Sequence, residues 1–571
     1  LLLTFSVNRE IGGLDVFGYH LTNVLIHILT GVVWYFLVSE LLRLEPAANQ
    51  LKRLPLICAS IHLLNPLTVE TVTYISSRSS GLATFFYLLA FYIFCRLVRP
   101  RKENLAWAGK LLFIAGISGF LFLAAGTKEI VVTFPLMAII YIWLITPPDE
   151  RKSLRTKIGA ILLPLLFYLC YRYIEQGNIF SLNADPVSGE TSRFLYFLSQ
   201  IKVVVHYYLL KLFLPFNLNF EPDIRLPSGF IDGQLICAIG ILAVGAIIVP
   251  RQKSPILIFA VLWFFITLFP SSSFIPLKQI ATEHRTYLPG LGFSLALGWM
   301  FLSACRAQAL ATGLLLAFLS LTFLLTVNRS LDYRSEVTLW KDTAEKSPNK
   351  SLVHNNLATA YMDTKMLEEA KAELAITLQL NPAQSDAYAN LGHIHFRQKH
   401  WEQAIEEFGH AIALGSNKPD TYYFTGLAQS KQKAYGEAIP FLQKAVSMRS
   451  HKADYHFDLG NAFRQVGSFD EALQEYRQTL AIKPRHPQAQ NNIGIIFWNL
   501  KAYERAEIAF KKALDIQQDL PDIHQNLAAL HLKNNRYADA IPYLVQVLKL
   551  QPGNATARKL LDHAQMQKGP S

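Results

Sequence analysis

Cysteine is scarce in this chain. There are five among 571 residues, Cys58, Cys95, Cys170, Cys237 and Cys305, all in apolar stretches. None has metal-ligand spacing, which excludes a cysteine-based metal centre; the five read as small buried hydrophobes and are silent on redox compartment. The polar loops hold no Gly-rich phosphate loop and no dinucleotide fingerprint, so a soluble nucleotide-dependent enzyme is not indicated. Charge is thin, at 17% of residues against 51% hydrophobic. Lys and Arg still outnumber Asp and Glu by 54 to 42. Many of these cations sit in short loops beside apolar runs, where membrane topology places them, so nucleic acid is not an expected partner. The chain opens at Leu1 without an initiator Met or a basic signal-peptide start.

What is abundant are apolar runs. A bilayer-spanning helix needs ~20 apolar residues, and stretches near 20–42, 54–74, 81–98, 107–126, 130–146, 157–175, 230–249, 255–270, 287–304 and 309–327 fit. Basic residues follow every second one: Lys52 and Arg53; Arg96, Arg99, Arg101 and Lys102; Arg151, Lys152, Arg155 and Lys157; Arg251 and Lys253; Arg306. Placing those loops in the cytoplasm puts both ends of the chain on the other side. Phe194 to Leu214 breaks the parity and carries Lys202, His206 and Lys211, so it is expected to lie on the outer membrane surface. With the first span starting outside, the expectation is a fragment lacking one upstream helix and the first outer loop.

Polar groups in membrane segments are expensive and therefore candidates for function. His20, Asn23 and His27 share one face of the first span; they either hold the bundle together or serve a site, and no ligand set beside them suggests a metal. Three motifs fall on the outer side. They are Asn65-Pro66-Leu67-Thr68-Val69-Glu70 running to Arg78, then Gly126-Thr127-Lys128-Glu129, and lastly Phe269-Pro270-Ser271-Ser272-Ser273 with Glu283-His284-Arg285-Thr286-Tyr287-Leu288-Pro289. Cations there suit a phosphate, and carboxylates suit a base or a partner for those cations. Lys128–Glu129 and Glu283–Arg285 also read as plain interfacial ion pairs, but three such motifs on one side favour a site.

Beyond the apolar half, an alanine returns every 34 residues: Ala370, Ala404, Ala438, Ala472, Ala506 and Ala540. Twelve residues before each stands a small residue, Ala358, Gly392, Gly426, Gly460, Gly494 or Ala528. That period with two small positions is the signature of the tetratricopeptide (TPR) helix pair. Two residues before the small position come Asn356, Asn390, Phe424, Asp458, Asn492 and Asn526. Amides donate and accept, so this series is a candidate for holding an extended peptide on the concave surface; it also reads as a feature that favours the helix pair alone. The fold class expected is all-α, a polytopic membrane domain over 1–330, a linker helix over 331–350, six TPRs over 351–560 and a tail over 561–571.

Asn65-Pro66…Glu70…Arg78, Lys128-Glu129 and Glu283-His284-Arg285-Thr286-Tyr287-Leu288-Pro289, followed by TPRs, resemble the transmembrane-and-TPR family of protein O-mannosyltransferases and its bacterial relatives, within the GT-C superfamily. Phe17-Gly18-Tyr19-His20-Leu21-Thr22-Asn23 also looks like that family's second helix. The resemblance implies a membrane glycosyltransferase moving a sugar, mannose by analogy, from a polyprenyl phosphate to protein Ser or Thr outside the cytoplasm. It implies Arg78, Lys128, His284 and Arg285 at the donor phosphate, no cofactor and no metal. The family's catalytic acid lies in the first outer loop, upstream of residue 1, which leaves Glu70, Glu129 and Glu283 as secondary candidates. The chain departs from the family at Asn65, where His is usual, and at Ser80, where an acid is frequent. The setting expected is a bacterial cytoplasmic membrane with periplasmic TPRs, or else the endoplasmic reticulum with luminal TPRs. The competing reading is a non-catalytic membrane scaffold that assembles exported proteins on its TPRs.

Overall fold

The computed structural model describes residues 1–13, 15–45, 48–98, 107–146, 193–227, 229, 231–273, 277, 279–303 and 308–567. Among these the chain is all-helical, with no strand. It divides into two units, Leu1–Val353 and His354–Ser571. The apolar stretch at 157–175, with Cys170, Cys305 and the basic residues at 99–102, 151–157 and 306, lies outside the described residues.

Among the described residues of the first unit, four helices are long and apolar enough to cross a bilayer: Val16–Leu44, Ile75–Val98, Gly233–Arg251 and Ala309–Asp332. Shorter apolar helices occupy Leu111–Ala125, Glu129–Ile145, Pro255–Ser271 and Pro289–Ser303. The stretch read as one span over 54–74 is broken, with Ala48–Leu63 and Pro66–Thr73 meeting at 55°. The cause is local. Pro66 has no N–H to continue the helix, and the Asn65 side chain accepts from Leu67 N at 3.0 Å to start a new turn. The Gly233–Arg251 and Ala309–Asp332 helices bury little of their apolar surface. Apolar surface all round a helix suits lipid as solvent, and this part of the chain is an integral membrane unit. Cys237 sits exposed on the first of these helices, contrary to the burial expected of it. The reason is that lipid rather than protein surrounds that helix.

The centre of this unit is aromatic. Trp34, Tyr87, Phe91, Phe259 and Trp263 are each fully buried, with Tyr87 and Phe91 meeting the Trp263 ring edge-on at 5.6 and 5.3 Å. Helices cross closely where glycine permits. A Cβ on Gly292 would lie 2.6 Å from the Ala260 carbonyl oxygen. The segment Arg193–Phe213 is helical with a π-helical turn at Val203–Leu209; Lys202 is buried and paired with Asp232 at 3.1 Å.

The second unit is a run of helix pairs, from Leu367–Leu380 behind Ser351–Asp363 to Tyr537–Leu550 behind Pro521–Lys533, closed by Ala555–Gln567. The six periodic alanines are fully buried. The small position faces the residue sixteen places on. A Cβ on Gly392, Gly460 or Gly494 would meet the ring of Phe408, Tyr476 or Phe510 at 2.6, 2.9 or 2.5 Å. Alanine stands at this position where the residue sixteen on is Leu374 or Leu544, although Gly426 stands opposite a leucine too, Leu442. Gly494→Ala is therefore expected to destabilise this unit by about 1–3 kcal/mol through overpacking, read as a lowered urea midpoint. Gly494→Ala with Phe510→Leu should recover most of the loss, and an unchanged midpoint in the single variant would mean that the Phe510 ring moves aside freely.

The turn between the two helices of each pair has its own rule. Lys365, Lys399, Lys433, Gly467, Lys501 and Asn535 recur at the repeat period, and all have positive φ, from 58° to 84°. At each, the left-handed residue lets the chain reverse, and the second helix begins within two residues.

Candidate functional site

The three motifs expected on the outer side, far apart in sequence, converge. The turn Pro66–Thr68 and the short helix Val69–Thr73 pack on the turn Glu283–Thr286, and the turn Glu129–Thr133 packs on Phe269–Ser271.

Glu70 is buried and engages His284 twice, accepting from its backbone N at 3.0 Å and meeting Nδ1 at 2.5 Å. A carboxylate on Nδ1 fixes the tautomer and leaves Nε2, near Thr282 Oγ1 at 3.4 Å, as the ring's working nitrogen. Lys128, in the break between two apolar helices, is half-buried and donates to Ser80 Oγ at 2.7 Å. Burial, and then the nearby Arg285 charge, push its ammonium down to about 8, against an opposing pull from Glu129 and Glu70. Glu129 is exposed beside it.

Arg285 is buried and clamps three carbonyls: Gln279 at 2.6 Å, Ile280 at 3.0 Å and Ser271 at 3.3 Å. Arg78 is buried too. Four of its five N–H groups are already engaged, by Asn23 at 2.6 Å, Asn8 at 2.8 Å, the Tyr19 carbonyl at 2.9 Å and Thr4 at 3.3 Å. Its guanidinium also lies 4.5 Å from the Phe5 ring centre. Arg78 thus ties the Leu2–Gly12 helix to the bundle. Among the described residues, Arg78, Lys128 and Arg285 have no carboxylate within ion-pair distance. The region therefore holds cationic charge that its own carboxylates do not directly neutralise.

The His20, Asn23 and His27 face separates into roles. Asn23 joins Arg78 to the Val72 carbonyl at 3.0 Å. His27 is buried between the Tyr287 hydroxyl, 2.7 Å from Nδ1, and the Leu63 carbonyl, 3.3 Å from Nε2. His20 is half-buried near the start of the Val16–Leu41 helix. Asn23 and His27 act as joints of the bundle, and no group of His, Cys, Asp or Glu among the described residues makes a metal site.

Arg329 stood outside the sequence-derived candidates. It is buried at the end of the Ala309–Asp332 helix, with Nη2 3.3 and 3.4 Å from the two Glu283 oxygens and Nη1 2.9 Å from Asp332 and 3.1 Å from Asp342. Glu283, fully buried, is consumed by this pairing. The same network reaches the helix Glu336–Lys346: Asn219 donates to Ser347 Oγ at 2.7 Å, Ser347 to the Glu221 carbonyl at 2.9 Å, and Lys350 to Glu221 at 2.6 Å. The only signal in the sequence was one arginine two residues beyond an apolar run.

In the second unit, Asn356, Asn390, Phe424, Asp458, Asn492 and Asn526 are all half-buried. The amides partly satisfy one another between repeats. Asn390 donates to Asn355 at 3.1 Å, Asn492 to Asn461 at 2.8 Å and Asn526 to Asn491 at 2.9 Å. Asp458 accepts from Tyr423 at 2.6 Å. Phe424 packs on His393 and Phe396, with ring centres 4.7 and 5.1 Å away. These pairings use the amide nitrogen of Asn390, Asn492 and Asn526, not the carbonyl oxygen.

Comparison with known proteins gives two kinds of likeness. The tetratricopeptide repeat model matches residues 355–419, 391–453, 457–521 and 526–561. The chain is 24% identical over 441 residues to protein O-mannosyl-transferase Tmtc3 of Drosophila melanogaster, covering 65% of this chain and 46% of that one. It is 24% identical over 409 residues to human protein O-mannosyl-transferase TMTC3, covering 65% and 43%, and 23% identical over 420 residues to human TMTC4, covering 63% and 55%. A likeness over 65% of the chain is longer than the repeat segment and takes in part of the apolar half. The chain spans about half the length of the curated relatives it matches. Among solved structures, YrrB, described as a TPR protein with an unusual peptide-binding site, shares 26% identity at a TM-score of 0.32, covering 34% of this chain and 97% of that one. This membrane unit with its TPRs is thus similar to proteins named protein O-mannosyl-transferases.

Proposed function

We propose that this relative of the protein O-mannosyl-transferases is itself a GT-C type glycosyltransferase. It moves a sugar, mannose by analogy, from a polyprenyl phosphate to protein Ser or Thr on the non-cytoplasmic side, the periplasm of a bacterium or the lumen of the endoplasmic reticulum. The observation that carries the reading is the convergence of Lys128, His284 and Arg285 on one face, with no carboxylate paired to either Lys128 or Arg285 among the described residues. In the transfer, the acceptor hydroxyl oxygen bonds to the anomeric carbon as its proton passes to a carboxylate base, and the bond to the phosphate oxygen breaks. Negative charge then builds on the departing lipid phosphate, where cationic donors act most strongly. Lys128 supplies the cation, with the His284 ring read at the same phosphate. Glu70 orients His284, and Arg285 holds the 271–280 turn in place. Arg78 has one N–H left for a ligand, so its contribution is chiefly to position the helix before it.

The TPR unit is read as the acceptor-holding part, its Asn carbonyls and the Phe424 cluster meeting an extended peptide. Glycopeptide mass spectrometry of exported proteins from the native cell tests the whole reading. Loss of defined hexoses from Ser or Thr in a Lys128→Ala strain, with the protein at its normal level, is the expected result. An unchanged glycan map, with exported partners still bound to the repeats, would leave a membrane-tethered scaffold instead.

A further inference from the structure

One cavity lies apart from these motifs. It is an open cleft of about 690 Å³ lined by the 202–211 stretch, the 217–225 loop, Gln234 and Lys346, and it shares no residue with Glu70, Lys128, His284 or Arg285. Its size suits a small ligand group. Four cations line it, Lys202, Lys211, Arg225 and Lys346, against one lining carboxylate, Asp223. Lys202 is held by Asp232 and Lys346 by Asp342. Lys211 and Arg225 have no carboxylate in ion-pair range among the described residues; Lys211 donates to the Phe216 carbonyl at 2.5 Å. Asn217, at φ 51°, turns the chain back over the cleft.

Beside these cations the surface is apolar. Phe213, Leu214 and Phe216 are 46%, 55% and 45% exposed. An element with exposed aromatic and aliphatic groups on one side and cations reaching inward on the other is built for the membrane interface, where apolar groups enter the acyl region and ammonium groups reach headgroup phosphates. An acidic peptide in the same cleft would leave the three apolar side chains in water.

We infer that this cleft binds the phosphate of an anionic membrane lipid, with Lys211 and Arg225 as its unpaired cations and Phe213, Leu214 and Phe216 seated in the adjoining acyl layer. The inference rests on the membrane placement of this segment and is independent of any transfer reaction.

Native mass spectrometry of the full chain in neutral detergent tests it, with phosphatidylglycerol and phosphatidylcholine titrated separately. The wild type is expected to retain phosphatidylglycerol roughly tenfold more tightly or better, as two interfacial cations imply. Lys211→Gln with Arg225→Gln should bring it down to the phosphatidylcholine level, and Lys211→Arg with Arg225→Lys should keep it. Equal retention of the two lipids, no effect of the neutralising pair, or loss in the charge-conserving pair would each overturn the inference. Displacement of the lipid by millimolar inorganic phosphate would point to a free-anion site, and displacement by poly-glutamate to an acidic peptide; either result would overturn the lipid.

Discussion

Arg329→Met should destabilise the first unit by about 3–5 kcal/mol, the loss typical of breaking one side of a buried ion pair. Glu283 is fully buried and Arg329 nearly so. The guanidinium spans Glu283, Asp332 and Asp342 and lies 5.1 Å from the Tyr333 ring centre. Removing it leaves one carboxylate with no solvent and two others without their shared cation. Most of the loss should come from Glu283, so adding Glu283→Gln to Arg329→Met should restore a large part of it. Denaturant unfolding of the detergent-solubilised protein, followed by tryptophan fluorescence, measures both variants. If Arg329→Met and wild type unfold together, Glu283 is not held as a carboxylate by this arginine.

Lys128→Ala is expected to lower sugar transfer about a hundredfold or more, the usual effect of removing one donor aimed at developing charge. The loss should fall mainly on kcat, because the leaving phosphate gains its charge only as the bond breaks. Burial, and then Arg285, lower the Lys128 ammonium to about 8. The charged form, which is the useful one, therefore prevails below that pH and is lost above it. In the wild type, kcat/KM should fall as pH rises through about 8, since this ratio reports the free enzyme. Lys128→Arg keeps its charge at any working pH and should remove that fall while retaining some activity. An alkaline limb identical in Lys128→Arg and wild type would assign the titration to another group.

Much of the second unit was legible because its constraints are steric and repeat. An alanine every 34 residues and a small residue twelve before it describe a helix crossing that admits no other side chain, and those alanines are fully buried. The amide series was equally visible. Its pairing was less so, although the doublets Asn355-Asn356 and Asn491-Asn492 carried the hint, since the first member of each accepts from the following repeat. In the first unit the apolar runs within the described residues fell on helices, and the break at Asn65-Pro66 followed from proline chemistry. What sequence could not supply was the partner of each polar group. Glu283 looked like a candidate base and pairs instead with Arg329, 46 residues on. Arg78 and Arg285 looked like ligand groups and are largely occupied by oxygens of the protein. Long-range pairing depends on how helices are arranged, and no local spacing encodes it.

The left-handed turns of the repeats bear on how this solenoid can be improved. Four of the six positions are lysines, at φ 60° to 66°, where an L side chain is strained by about 1 kcal/mol or more and glycine is not. Glycine would give back part of that gain through its freer unfolded chain. Asparagine, already present at Asn535, tolerates the conformation at less cost in the unfolded state. Lys365→Asn, Lys399→Asn, Lys433→Asn and Lys501→Asn together form a thermostabilising set that touches neither helix face. The natural repeats thus forgo easily gained stability at evenly spaced turns.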